Sequence, residues 1–176
     1  MSKPTVFLDR DGVLCRERSY IVSADDMEIF VYSAACIRQI HEAGYLAIVV
    51  TNQSAVARGM LSVDELERMN ALLRNQLGVD AVYYCPHHEK GVVAEYVKKC
   101  NCRKPLTGMI EQACRDFEID LSNSMMVGDR AGDILLGQNA GLKTVLLESG
   151  YGTARLELPV TPDHILNDLR DVITLL

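Results

Sequence analysis

Five short runs are almost entirely apolar: 6–8, 46–50, 81–84, 124–127 and 143–147. A strand with one wet face alternates polar and apolar residues, whereas a run apolar throughout needs cover on both faces. Helical signals fill the gaps between the runs. Ala34–Ala43 stops at Gly44, a C-cap residue. Ser62, with Glu65 three residues on, opens a helix to about Leu77 with a capping box. Thr107 or Gly108 opens another that runs through about Phe117, Ala131–Ala140 stops at Gly141, and a short helix over 166–175 closes the chain. Strands buried on both sides and alternating with helices specify an α/β fold, a doubly wound Rossmann-like parallel sheet. At 176 residues, with no repeat, linker or low-complexity segment, a single domain over 1–176 is expected.

Two segments break the alternation. Residues 12–30 form a long insertion after the first strand, and residues 85–105 form a loop rich in Cys, His and Lys. Loops of this length inside a compact domain are usually functional or held by something. The net charge of -6 argues against a general nucleic-acid or membrane-surface binder. The first ten residues already carry Lys3, Asp9 and Arg10, and no stretch approaches the ~18 apolar residues of a membrane span. A cytoplasmic monomer with no nucleic-acid or membrane partner is expected. Six cysteines without a leader point away from a disulfide scaffold. Cys36 and Cys114 fall in helix-like runs, where a small buried hydrophobe is the expected role.

Chemistry gathers at the strand ends. The first run stops at Asp9 and Asp11, spaced i, i+2 and followed by Gly12. If the chain stays extended, both carboxylates share one face. An Asp-Gly turn ending a strand is the plainer alternative. Thr51 ends the second run, Arg103 and Lys104 follow the third, and Asp129 and Asp133 follow the fourth. Open α/β sheets place their sites at these C-terminal ends. Carboxylates for a metal, a hydroxyl, a cation and a nucleophilic Asp together make a phosphoryl-transfer inventory.

Asp9-x-Asp11, Thr51, Lys104-Pro105 and Gly128-Asp129-x-x-x-Asp133 resemble the four motifs of the haloacid dehalogenase superfamily of phosphatases, in order and spacing over essentially the whole chain. More narrowly, Phe7–Gly12, Thr51–Ser54, Ala57–Gly59, Tyr84–His88 and Cys100–Pro105 are similar to the D,D-heptose 1,7-bisphosphate phosphatases. The resemblance implies a haloacid dehalogenase-like fold without a large cap domain. It implies hydrolysis of the 7-phosphate of the sugar, in nucleotide-activated heptose biosynthesis. Asp9 would be the nucleophile that forms an aspartyl-phosphate, and Asp11 would protonate the leaving alkoxide and then activate water. Thr51 and Lys104 would hold the phosphoryl oxygens. Mg²⁺ would be held by Asp9, Asp129 and Asp11, the last through its main-chain carbonyl, with Asp133 in support. The substrate pocket would draw on Glu17, Arg18, Ser19 and Tyr20, on Asn52, Gln53 and Ser54, and on Arg103 and Arg130. Residues 17–20 read Glu-Arg-Ser-Tyr where the heptose enzymes commonly have Asp-x-Gly-Tyr, and Arg130 stands where lysine is often found.

Cys85-x-His87 with Cys100-x-Cys102 offers three thiolates and an imidazole, the closed tetrahedral set of structural Zn²⁺. His88 is the second candidate for the imidazole; the family pattern favours His87. Such a zinc would hold the 85–105 loop and deliver Arg103 and Lys104. Histidinol-phosphate phosphatases share most of these motifs and supply the alternative substrate. A receiver-type phospho-acceptor domain uses the same chemistry, but its accepting Asp follows the third strand, where this chain has Tyr84-Cys85. A zinc-finger binding module would explain the cysteines and leave the other four motifs without a role.

Overall fold

In the computed structural model, which describes residues 2–176, the apolar runs do find cover on both faces. The chain runs β1 (Thr5–Leu8), α1 (Ser33–Glu42), β2 (Leu46–Asn52), α2 (Val63–Leu77), β3 (Ala81–Cys85), α3 (Gly108–Asp116), β4 (Met125–Gly128), α4 (Ala131–Asn139), β5 (Lys143–Leu147), β6 (His164–Leu166) and α5 (Leu169–Val172). All six strands are parallel, in the order β3-β2-β1-β4-β5-β6. The topological switch lies at β1, and the crevice above it is where such sheets bind ligands. Among the described residues no helix is long and apolar enough to cross a membrane.

The strand period of two sorts the core. Val6, Leu8, Ala47 and Val49 pack on one side with Ile37 and Ile40 of α1, Leu66 and Leu73 of α2, and Leu169 and Val172 of α5. Phe7, Ile48 and Val50 face the other side with Met109 and Ile110 of α3 and Leu136 of α4. Alternation therefore exists, but between two cores and not between core and water.

The elements depart from expectation in a few places. The sequence predicts one helix over 166–175; the structure instead has β6 at 164–166, then α5 and a 3₁₀ turn over 173–175. A three-residue edge strand is too short to carry a readable period. Asp168 stops it and caps α5 by accepting from the Arg170 N–H. Ser124 lies outside β4, where its hydroxyl accepts from Thr5 N. The capping box of α2 is half formed. Ser62 Oγ accepts from Glu65 N at 3.1 Å, but the Glu65 carboxylate turns to Ala24 N in the 12–30 insertion, at 2.7 Å. Local capping lost to a contact that ties the insertion to α2.

Gly137 sets how closely α4 lies on β4 and β5. A Cβ there would stand 2.6 Å from Thr144 Cγ2 and 3.0 Å from Met126 Cβ. Thr144 cannot turn aside, because its hydroxyl donates to Asp163 Oδ2 (2.8 Å) and accepts from Asp163 N (3.0 Å). In an open helix Gly→Ala gains about 1 kcal/mol, while overpacking costs about 1–3 kcal/mol. Gly137→Ala should therefore lower the unfolding free energy by up to about 2 kcal/mol, measured by urea denaturation; a gain in stability would show that α4 can move off the sheet.

Candidate active site

The site forms where β1, β2 and β4 end side by side. Strand pairing stops at Leu8 and the chain bends at Arg10, so Asp9 and Asp11 are not placed by simple extension. Both still line one cleft. Lys104 is the hub beneath them. Its Nζ lies 2.9 Å from Asp9 Oδ1 and 2.7 Å from Asp133 Oδ1, and donates to Val50 O at 3.0 Å. Its side chain is 4% exposed. Three acceptors use all three of its protons. Asp133 in turn accepts from the Asp129 and Arg130 N–H groups through Oδ2, which ties the start of α4 to Lys104.

Asp9, Asp129 and Asp133 bring carboxylate oxygens within 4.8 Å of one another. Three carboxylates beside one ammonium leave two negative charges in a buried place, a set that suits one divalent cation. Asp129 carries a further sign. Its Oδ2 accepts from Tyr151 N at 2.8 Å, while Oδ1 is buried with no partner. Gly12, at φ +82°, and Gly150 make room for this carboxylate; a Cβ on either would come within 2.3 Å of Oδ2. Burial, with Asp133 and Asp11 adding repulsion against the pull of Lys104, pushes Asp9 up to about 6. Burial, Asp133 and Asp9 push Asp129 up to about 8. The Asp11 carboxylate lies outside this group of three. Burial alone would raise its pKa, but the Arg10 guanidinium holds it below the usual range.

Cys85, His87, Cys100 and Cys102 form a second group that could hold a metal, again with ligand atoms within 4.8 Å of one another. The Cys85–Cys100 and Cys100–Cys102 sulfurs are 3.5 and 3.4 Å apart, and His87 Nδ1 stands 3.4 Å from Cys102 Sγ. Zn–S bonds of ~2.3 Å at tetrahedral angles give sulfur separations of about 3.8 Å, so the group needs little adjustment. Hydrogen bonding with Cys85, Cys100 and the nearby His87 pulls the Cys102 thiol down to about 5. His88 is elsewhere: its Nε2 faces Arg58 at 3.4 Å.

The cleft holds about 1010 Å³. Of the residues expected in the pocket, Glu17, Ser19, Tyr20, Asn52, Gln53, Ser54, Arg103 and Arg130 line it. Arg18 does not; it pairs with Glu28 at 2.8 Å on the surface. Asn52 and Gln53 line it with their amides already engaged. Asn52 accepts from Lys104 N (3.0 Å) and donates to Lys104 O (3.3 Å), clasping the lysine's own backbone. Gln53 is 4% exposed and bonds to Arg10, Asp11 and Thr51. Arg103 donates to His87 O, so the cysteine loop positions it. Arg130 pairs with Glu17 at 3.0 Å and lies over the Tyr151 ring at 4.0 Å. Ser19 takes φ +63°, a left-handed conformation that glycine adopts without penalty, which explains why glycine suits this position.

Sequence reasoning missed several lining residues: Arg58, His88, Tyr151 and Arg155. The Ala57-Arg58-Gly59 motif was a signal for Arg58. Nothing local marks Tyr151 and Arg155, which the loop after β5 carries to the cleft. Arg10 was also missed. It is 0% exposed and grips Asp11. Cys15, 0% exposed, reaches the site too, with Sγ 3.3 Å from Asp11 Oδ1.

The raised carboxyls give a pH test. Asp9 and Asp129 hold protons more tightly folded than at their ordinary 3.8, so the site contributes stability at low pH that is lost as pH rises through about 6 and about 8. A divalent cation binds the ionised forms and offsets that loss. The rise in Tm on adding Mg²⁺ should therefore grow between about pH 5 and pH 8, measured by thermal unfolding with and without Mg²⁺. A rise that is flat with pH would separate the cation from these carboxyls.

A HAD-hydrolase-like family model matches residues 101–172. The chain is 39% identical to the D-glycero-beta-D-manno-heptose-1,7-bisphosphate 7-phosphatase of Haemophilus ducreyi, over 98% of each chain. It is 41% identical to the D-glycero-D-manno-heptose-1,7-bisphosphate 7-phosphatase of Thermosynechococcus vestitus, over 96% of this chain and 93% of that one. Among solved structures, the D,D-heptose 1,7-bisphosphate phosphatase from B. bronchiseptica, complexed with magnesium and phosphate, matches with a TM-score of 0.84 at 29% identity, covering 98% of this chain and 97% of that one. With identity of this level running nearly end to end, the chain belongs to the heptose-1,7-bisphosphate 7-phosphatase family of haloacid dehalogenase-like hydrolases.

Proposed function

We propose that this phosphatase removes the 7-phosphate of D-glycero-D-manno-heptose 1,7-bisphosphate, leaving heptose 1-phosphate, through an aspartyl-phosphate on Asp9. The observation that carries the reading is the polarity of the cleft. Its floor holds Asp9 against Lys104, and its walls carry Arg58, His88, Arg103, Arg130 and Arg155. One phosphate meets a nucleophile and a cation at the floor, while guanidiniums on the walls suit a second phosphate. A monophosphate such as histidinol phosphate would leave that second set unused.

The steps follow from the residues. Asp9 attacks phosphorus, and the ester oxygen departs with a proton from Asp11, which takes up that proton only when its carboxylate leaves the Arg10 grip that holds it ionised. Asp11 then takes a proton from water as the water attacks the aspartyl-phosphate. Thr51 would hold a phosphoryl oxygen, and Lys104 would hold another by giving up one of its three protein acceptors. Mg²⁺ would be held by Asp9, Asp129 and the main-chain carbonyl of Asp11, with Asp133 keeping Lys104 and the α4 amides in place. When bound, it would offset the negative charge gathered by the three carboxylates and the phosphate. The partnerless Asp129 Oδ1 supports this assignment. The whole chain, 1–176, would act as one phosphatase domain, a cytoplasmic monomer whose only partner is its phosphorylated substrate.

A turnover panel with Mg²⁺ tests the substrate: both anomers of the heptose 1,7-bisphosphate, fructose 1,6-bisphosphate and histidinol phosphate. A heptose bisphosphate should give the highest kcat/KM, and Asp9→Asn should abolish it, since an amide cannot form the acyl-phosphate. Preference for histidinol phosphate would overturn the assignment.

The Cys85, His87, Cys100 and Cys102 group would hold structural Zn²⁺ at about one equivalent, a closed set with no open position for chemistry. Zinc binding and loop folding would be coupled. Cys102→Ala should lose the metal by elemental analysis and lose activity indirectly, because Arg103 and Lys104 follow the last ligand. Elemental analysis that finds no zinc in well-folded, active protein purified without added zinc would remove the claim.

A further inference from the structure

Arg58 stands in the turn after β2 and His88 in the loop after β3, and the backbone locks these two segments together. Ala57 O accepts from Val92 N at 2.7 Å and from Val93 N at 3.0 Å. Gly91 permits the approach, since a Cβ there would stand 2.5 Å from Ala57 O. The two side chains then meet donor against donor. Lys90 N–H donates to His88 Nδ1 at 3.0 Å, so that nitrogen is the acceptor and Nε2 carries the hydrogen. Arg58 Nη2, 3.4 Å from Nε2, is a donor as well. Neither group supplies the lone pair that the other needs. Arg58 Nε is buried with no partner, and among the described residues no carboxylate pairs with this guanidinium. Its remaining neighbour is the Tyr20 ring, at 5.8 Å. Side chains that serve only the fold find acceptors within it; two donors held face to face in a cleft share an acceptor that comes from elsewhere.

We propose that Arg58 and His88, with Arg103 beside them, seat the second phosphate of the substrate, the one that is not transferred. An anionic oxygen set against both donors supplies the missing acceptor, in hydrogen bonds of the strong, charge-assisted kind. A phosphate monoester has three free oxygens and can serve several donors at once. Arg103, which donates to His87 O one residue from His88, is placed to add a third. The loops after β2 and β3 form this rim of the cleft, and those after β4 and β5 form the other, with β1 between them. The other rim is less suited. Arg130 already has Glu17 as counterion at 3.0 Å, and Arg155 is exposed, so water meets its donors. A buried donor without an acceptor gains more from an anion than a paired or hydrated one does. Arg58 and His88 are thus recognition residues, holding the substrate by the end that does not react. The inference rests on the bisphosphate reading and narrows it to one rim.

The test compares two substrates with Mg²⁺: the heptose 1,7-bisphosphate, and heptose 7-phosphate, which lacks the second phosphate. kcat and KM are measured on both for wild type, Arg58→Met, His88→Phe and Arg130→Met, and thermal unfolding reports whether each variant folds. Arg58→Met should lower kcat/KM for the bisphosphate on the order of 10- to 100-fold, the range of a charge-assisted hydrogen bond. His88→Phe should lower it about tenfold. Both should lose far less on the 7-phosphate, and the bisphosphate loss should fall mainly in KM, as expected of binding made equally in the ground and transition states. Arg130→Met should cost less of the preference for the bisphosphate than Arg58→Met does. Equal losses on the two substrates would show that Arg58 and His88 only hold the cysteine loop in place, and would overturn the proposal. A preference that Arg130→Met removes and Arg58→Met leaves would overturn it too, by moving the seat to the other rim. His88→Phe decides alone if Arg58→Met does not fold. Wild-type protein with no preference for the bisphosphate would overturn the bisphosphate reading itself, and this proposal with it.

Discussion

The ammonium of Lys104 between Asp9 and Asp133 is the contact on which the site depends. It is buried, so neither the lysine nor the carboxylates can turn to water. Removing one partner of such a group costs about 3–5 kcal/mol, because the others are left as uncompensated buried charges. The three residues come from the loop after β3, the end of β1 and the first turn of α4. A single contact thus closes three chain segments over the sheet's switch point. Asp133 carries the pull further, into the Asp129 and Arg130 amides, and Asp129 into the loop after β5 through Tyr151 N.

Lys104 has to be delivered to that position from a long irregular loop. Two devices do so. The Cys85, His87, Cys100 and Cys102 group gathers the loop's two ends just before Arg103 and Lys104, and Asn52 clasps the Lys104 backbone from the end of β2. Neither device touches the reacting centre through its own side chain in the proposed chemistry. Both convert a flexible segment into one with a fixed end, the condition for a cation to meet two carboxylates without a large entropic penalty. The insertion after β1 is tied down in a similar manner, by Glu65 on Ala24 N and by Arg16 N on Glu28 O.

The sheet was legible in the sequence because its strands are apolar throughout and its helices carry caps at their ends. Strand ends were legible as sites because carboxylates, a hydroxyl and a lysine have no reason to follow apolar runs otherwise. The grouping of Cys85, His87, Cys100 and Cys102 was legible from spacing. Less legible was what each polar residue does there. Thr51, Asn52 and Gln53 look alike as a polar triplet after a strand; the structure gives Asn52 to the lysine backbone and Gln53 to Arg10 and Asp11. Arg10 offered no local sign of burial, since arginine is seldom buried and its partner is its own neighbour.

Sequence alone determined the fold class, because the period and length of apolar runs decide which elements form and how many faces they bury. It also determined which chemistry-bearing residues stand at strand ends. Only the tertiary structure decided the pairings: Asp133 rather than Asp11 beside Asp9 and Asp129, Arg18 on the surface, Tyr151 and Arg155 at the cleft, and β6 at the edge. The reason is range. Periodicity and capping act within a few residues, whereas the partner of a buried charge is set by which loops the sheet order brings together, and that order joins residues a hundred or more positions apart.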